Sequence, residues 1–148
     1  MAHTASTTFP RAAGVLMHPT SLPSPHGVGD LGAGARAFVD WLHEARLSCW
    51  QVLPLVPPGP GGSPYASMSA FVGSPWLLDL DDLVARGLLE RADLAQDELR
   101  GAAQGEGFPL DRVDFDRVGP WKLGLVRRAA ARFARSTAFT LMSSRGSV

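Results

Sequence analysis
The chain has 148 residues, with 14 basic and 14 acidic side chains and a formal net charge of zero. That length suits one domain burying roughly 70% of its unfolded surface and falls well short of the ~250 residues of a closed eight-stranded α/β barrel. A hydrophobic fraction of 45% argues against disorder, and an isoelectric point near 6.9 excludes the basic excess that non-specific nucleic-acid binding needs.

Residues 1–12 are small and polar and read as a loose tail. They carry no apolar stretch of the kind a signal peptide needs, and no run approaches the ~18 apolar residues of a membrane span. From Gly14 to Met17 a short apolar run reads as a strand buried on both faces, stopped by Pro19 after His18. Residues 20–34 form a Ser/Pro/Gly loop. A helix is predicted over Ala33–Leu47, with Phe38, Trp41, Leu42 and Ala45 recurring at spacings of three and four. Cys49–Leu53 then reads as a second strand closed by Pro54, with Trp50 in the core. Strand, loop, helix, strand is a βαβ unit with a parallel sheet.

Residues 54–75 hold six prolines and four glycines in 22 positions. Such a stretch is neither helix nor central strand and is long enough to be a functional loop. It leaves the same end of the sheet as the loop after Met17, the C-terminal end, where α/β folds bind ligands. The remainder reads as peripheral helix. Asp79 caps a helix over Leu80–Arg86 that Gly87 stops. Residues 91–100 form a second piece, with Leu94, Glu98 and Leu99, broken by Gly101, Gly105, Gly107 and Pro109. A longer helix covers Arg117–Arg135, with Val118, Trp121, Leu125, Ala129 and Phe133 on one stripe and Pro120 in its first turn. From Ser136 to Val148 the helical period breaks.

The four histidines, His3, His18, His26 and His43, have no zinc-like spacing, and Cys49 is the single cysteine. That cysteine count admits no internal disulfide and points to a reducing, cytoplasmic compartment. His18, at a strand end, has two readings: a substrate contact, or a hydrogen-bonding role at the strand terminus. Gly27–Gly32 matches G-x-G-x-x-G, but it lies too far from its strand for the tight turn of a dinucleotide site. Asp79, Asp81 and Asp82 read as a cap and first-turn acids, and so do Asp111, Asp114 and Asp116. Neither group is a catalytic pair. Tyr65, within Ser63-Pro64-Tyr65-Ala66-Ser67, combines an aromatic face with neighbouring hydroxyls, which a sugar ring can use; packing within the loop is the competing reading.

The segments His18-Pro19-Thr20-Ser21-Leu22-Pro23, Gly27–Gly32, Trp50–Leu55 and Ser63–Phe71, followed by Pro75–Leu80 and Val113-Asp114-Phe115 with Trp121-Lys122, resemble in content and order the start of the 4-α-glucanotransferase (amylomaltase) family, over about residues 11–135. The resemblance implies the N-terminal portion of a (β/α)8 barrel and a cytoplasmic enzyme without a cofactor or metal. It implies that an α-1,4-glucan segment is transferred to the 4-hydroxyl of an acceptor such as glucose or maltose. The partners would be maltodextrins, starch or glycogen fragments, with no nucleic acid and no membrane. The chemistry implied is retaining double displacement by an aspartate nucleophile and a glutamate acid/base, with a second aspartate holding the distorted sugar. Tyr65 would stack near the donor sugar with Ser63 beside it.

In the family these three carboxylates come later than the segment seen here, so the expectation is an inactive fragment with a non-family tail over 136–148, produced by truncation or frameshift. A non-catalytic glucan-binding remnant is the alternative. Two barrel strands with open edges also predict a poorly soluble or molten chain.

Overall fold
A computed structural model describes residues 11–95, 108–109 and 111–145, with side-chain surroundings through residue 136. The predicted βαβ unit is present. Strand β1 (Gly14–Leu16) pairs in parallel with β2 (Cys49–Gln51), in the register Gly14↔Cys49, Val15↔Trp50 and Leu16↔Gln51. Backbone bonds from Ser48 to Ala13 and from Met17 to Gln51 extend the pairing at both ends. Helix α1 (Ala33–Glu44) makes the crossover.

The expectation of strands buried on both faces is corrected. Burial alternates along each strand, with Val15 and Trp50 half-buried and their neighbours exposed. Side chains alternate across a pleated strand, and α1 covers only the face that carries Trp50. Phe38 meets the Trp50 ring edge-on at 4.9 Å, a contact worth about 0.5–1.5 kcal/mol beyond its area. Trp50 is therefore half-buried, not a core residue. Across the sheet Leu16 is 60% exposed, because the two-stranded sheet has no second layer among the described residues.

Helix α1 stops three residues before the predicted Leu47. The Leu47 amide bonds the Leu42 carbonyl and the Arg46 amide bonds the His43 carbonyl, with Arg46 at φ 57°. This is the reverse-turn cap usually built on glycine. With no glycine at 46, the sequence pattern hides the end.

The helices predicted to be peripheral instead build the main core. Helix α2 (Leu80–Ala85) is capped by Asp79, whose Oδ1 accepts from the Asp81 amide at 2.9 Å, and it ends at Gly87 with φ 70°. Residues 91–95 are helical (α3); Glu98, Leu99, Gly101, Gly105 and Gly107 lie outside the described residues, as do 1–10 of the predicted tail. Helix α4 runs from Phe115 to Arg145. Val28, Leu80, Leu83, Leu89, Leu94, Val118, Trp121, Leu125 and Ala129 form one buried cluster, each large aliphatic contributing about 1.5–3 kcal/mol. A two-stranded sheet cannot organise a core this size, so α4 does.

Three features of α4 differ from expectation. It begins two residues early, with the Asp114 carboxylate accepting from the Arg117 amide, so Pro120 sits inside the helix, past its first turn. Phe133 is mostly exposed, and Arg132 takes the inward position, bonding Asp93 at 2.7 Å and the Leu88 carbonyl. Finally, the helix continues through Ser136–Arg145, across the predicted break. Ser136 Oγ donates to the Phe133 carbonyl at 2.8 Å, which satisfies the hydroxyl inside the helix.

Candidate functional site
Loop 54–75 leaves the C-terminal end of β2, and His18 stands at the same end of β1. The loop is closed at its base by a bond from the Ser74 amide to the Leu55 carbonyl at 2.9 Å. Between these points it forms 3-10 turns at Pro60–Gly62 and Pro64–Ala66, each opened by a proline whose fixed φ suits that position and whose missing N–H is not needed there. The Ser63 carbonyl accepts from both Gly59 and Ala66. A Cβ at Gly59 would strike the Ala66 carbonyl, so the two turns fold against each other only through glycine.

This ordered backbone presents an apolar tip. Tyr65 is 74% exposed, and Met68 and Phe71 are almost wholly so. Ser63, Ser67 and Ser69 are half-buried around them, with Ser67 and Ser69 bonding within the loop. No residue from 54 to 75 carries a charge. After the loop, Ser74 caps a turn at Pro75–Leu77, and Trp76 stacks on Phe115 of α4 at 5.0 Å. The loop is thus fixed at one end to the sheet and at the other to the helical core.

The structure brings Tyr65 and Ser63 into one turn. No hydrogen bond or ring contact joins His18 to either. The His18 ring instead accepts at Nδ1 from the Thr20 amide at 3.3 Å and lies 2.8 Å from the Thr20 hydroxyl. Burial lowers its pKa, while the Pro54 carbonyl pulls the other way. Trp50 donates its indole N–H to the Met17 carbonyl at 2.8 Å, locking the two strand ends together. Sequence reasoning passed over Met68 and Phe71 as site residues. The signal available was the density of large apolar side chains in an uncharged loop.

The G-x-G-x-x-G segment is occupied by protein. A Cβ at Gly27 would strike Phe108, at Gly29 the Pro19 carbonyl, and at Gly32 the Asp79 carboxylate at about 2.5 Å. Asp30 Oδ1 accepts from the Gly32 amide at the start of α1. Carboxylates already fill the place a phosphate would take, and the nucleotide reading fails.

Several acids are committed as well. Asp30 pairs with Lys122, Asp81 with His26 and Arg91, and Asp82 with Arg86. Asp93 holds Arg128 and Arg132. Burial pushes the Asp81 carboxyl up, but hydrogen bonds and charge from His26 and Arg91 hold it below its ordinary value. Among the described residues no group of three or more His, Cys, Asp or Glu side chains could hold a metal.

These groups lie at the C-terminal end of the two parallel strands, the end at which α/β folds bind ligands, and the loop's chemistry suits a neutral, polyhydroxylated ligand. A family profile of 4-alpha-glucanotransferases matches residues 17–144, running past Arg135 where the sequence pattern appeared to end. A chloroplastic/amyloplastic 4-alpha-glucanotransferase of Arabidopsis thaliana is 47% identical over 122 residues, 82% of this chain and 19% of its own length. The Thermus thermophilus 4-alpha-glucanotransferase is 47% identical over 125 residues, 84% of this chain and 23% of its own. An amylomaltase from Streptococcus agalactiae, solved in complex with acarbose, superposes with a TM-score of 0.73 at 36% identity, covering 92% of this chain and 26% of that one. The chain belongs to the 4-alpha-glucanotransferase family. It spans about a fifth to a quarter of the length of these relatives.

Proposed function
We propose that this chain forms the opening part of a (β/α)8-barrel 4-α-glucanotransferase and supplies part of its α-glucan surface through loop 54–75. The observation that carries the reading is the uncharged loop tip, where Tyr65 stands exposed beside Ser63. An aromatic face stacks on a sugar ring while hydroxyls meet its rim. The related amylomaltase solved with acarbose, a maltodextrin analogue, supports an α-glucan as the ligand. His18 stands at the base of the same surface. The acceptors would be glucose, maltose or short maltodextrins, and the lone cysteine Cys49 fits a reducing, cytoplasmic setting.

Retaining transfer needs two carboxyl groups about 5 Å apart flanking the scissile bond. No carboxylate lies in loop 54–75, and Asp30, Asp81, Asp82 and Asp93 are held in ion pairs. On this reading the acid/base pair would come from elsewhere in the whole enzyme, and these 148 residues would bind glucan without transferring it. The alternative, a free-standing glucan-binding module, draws on the same separation of the loop from any catalytic acid. Calorimetric titration with maltoheptaose tests the binding site itself. Binding heat lost in Tyr65→Ala and kept in Asp79→Ala is the expected result. Equal binding by the two variants would overturn the assignment of Tyr65.

A further inference from the structure
Lys122 stands on the buried stripe of α4 between Val118 and Leu125, and its side chain is wholly sealed from solvent. A buried ion pair is weak evidence of stability, since an apolar pair of the same volume often serves as well. What a charged pair supplies and an apolar one does not is a fixed direction. Lys122 Nζ donates to Asp30 Oδ2 at 3.1 Å, and Asp30 Oδ1 accepts from the Gly32 amide at 3.0 Å. Both oxygens of the carboxylate are thus held, one by α4 and one by the start of α1. The residues on either side of Asp30 reach elsewhere. The Gly29 amide donates to the Thr20 carbonyl at 3.1 Å, and the Leu31 amide donates to the Leu77 carbonyl at 3.0 Å. Thr20 lies in the Pro19–Ser21 turn that follows β1, and Leu77 ends the Pro75–Leu77 turn into which loop 54–75 runs. Ser74 caps that turn and ties its amide to Leu55 at the loop's other end. Three consecutive residues therefore join both segments at the C-terminal end of the strands to one lysine.

We propose that Lys122 is a positioning residue for the ligand end of the fold: by holding Asp30 it sets where loop 54–75 and the Pro19–Ser21 turn stand relative to each other. Helix α4 supplies the fixed point, residues 29–32 the link, and the Thr20 and Leu77 carbonyls the two points of attachment. Gly29 allows the close approach this needs, since a side chain there would strike the Pro19 carbonyl. Lys122, wholly buried, acts on the ligand surface without touching ligand. Only the ligand arm of the test below rests on the glucan reading of loop 54–75.

Amide hydrogen exchange on the 15N-labelled 148-residue chain provides the test. In the wild type the Gly29 and Leu31 amides should exchange with the slow amides of α4 and not with those of β1 and β2. Exchange in step with the strands would show that α4 does not hold the segment, and would overturn the proposal. The double variant Asp30→Asn/Lys122→Met removes both charges together, so no unpaired charge stays buried, and Asn keeps an oxygen for the Gly32 amide. A role in stability alone predicts wild-type exchange in this variant, or acceleration by one common factor. The positioning role predicts a local excess: exchange about 10-fold faster at Gly29, Leu31 and Ser74 relative to Ala129, as loss of a charged hydrogen bond implies. Leu125→Ala, which leaves the pair intact, should speed the core amides without that excess. An excess in Leu125→Ala, or none in the double variant, contradicts the proposal. Maltoheptaose should bind the double variant about 3–10-fold more weakly than the wild type. Equal affinities beside a local excess would show a tether that does not position the surface, which also contradicts it. If the wild type binds no maltoheptaose, the glucan reading fails, while the Ser74 amide still decides whether Lys122 positions the loop.

Discussion
Lys122 Nζ lies 3.1 Å from Asp30 Oδ2, 92 residues away along the chain, and the lysine side chain is completely buried. This pair joins the glycine-rich segment before α1 to the N-terminal part of α4. Burial lowers the Lys122 pKa, and the charges of Asp30 and Asp79 together with the Asp30 hydrogen bond restore part of it. Removing one partner leaves the other charge buried alone, which costs about 3–5 kcal/mol. Asp30→Ala should therefore lose stability on that scale. The double variant Asp30→Ala/Lys122→Met should lose clearly less than the sum of its singles in urea unfolding. Additive losses would show that the pair is uncoupled.

Backbone crowding around Gly29 makes a second prediction. A side chain there meets the Pro19 carbonyl and, at 2.7–2.8 Å, the Leu22 backbone, none of which is free to turn aside. Gly29→Ala should destabilise by about 1–3 kcal/mol, while Gly73→Ala, with open space around it, stays within about 0.5 kcal/mol. Arg46, at φ 57°, is strained for a residue with a side chain, and Arg46→Gly should stabilise by about 1 kcal/mol. Urea midpoints of the three variants check the order.

Much of the βαβ unit and of α2 was legible because their signals are local: apolar runs ended by Pro19 and Pro54, a helical stripe between them, and Asp79 and Gly87 bracketing α2. The end of α1 was not legible, since Arg46 occupies a position where glycine is the usual sign. The Asp30–Lys122 pair was half-legible. Lys122 stands four residues after Val118 and three before Leu125, on the buried stripe of α4, and a lysine there demands an acid partner. Which acid answers it is a tertiary fact. In the loop, Tyr65 and Ser63 could be read from their chemistry, whereas the absence of any link from His18 to them depends on how the Thr20 turn holds the ring.

Acid sensitivity should follow Asp93 and Asp81. The Glu90 amide and the Arg132 and Arg128 guanidiniums outweigh burial and hold the Asp93 carboxyl below its ordinary value, and Asp81 is lowered by His26 and Arg91 against burial. A depressed folded pKa means that the unfolded chain binds protons more readily. The stabilisation is therefore full above the unfolded value near 4 and is lost as pH falls through the lower folded values. Melting temperature should be insensitive to these groups between about pH 5 and 7 and should drop below pH 4. Asp93→Asn should be less stable at pH 7 and lose less on acidification. An identical acid profile in that variant would contradict the assignment.

Stability should also be uneven across the molecule. The helical cluster around Leu80, Val118 and Leu125 is sealed, while the sheet exposes Leu16 on one side and leaves both strands with an open edge. Amides of β1 and β2 should exchange well before those of α4 near Leu125, and a dye that reports exposed apolar surface should bind at neutral pH. Uniform protection without dye binding would contradict this and the expectation of a poorly soluble chain.

A chimera puts the separation of glucan surface from catalytic pair to the test. Residues 17–135 of this chain would replace the matching segment of the Thermus thermophilus relative, and disproportionation of maltotriose would be followed by glucose release. The chimera should transfer glucan, with activity falling sharply on Tyr65→Ala, while the 148-residue chain alone releases no glucose. A chimera that melts cooperatively yet shows no transfer, or a chain that transfers glucan alone, would contradict the claim that these residues supply the glucan surface and not the catalytic pair.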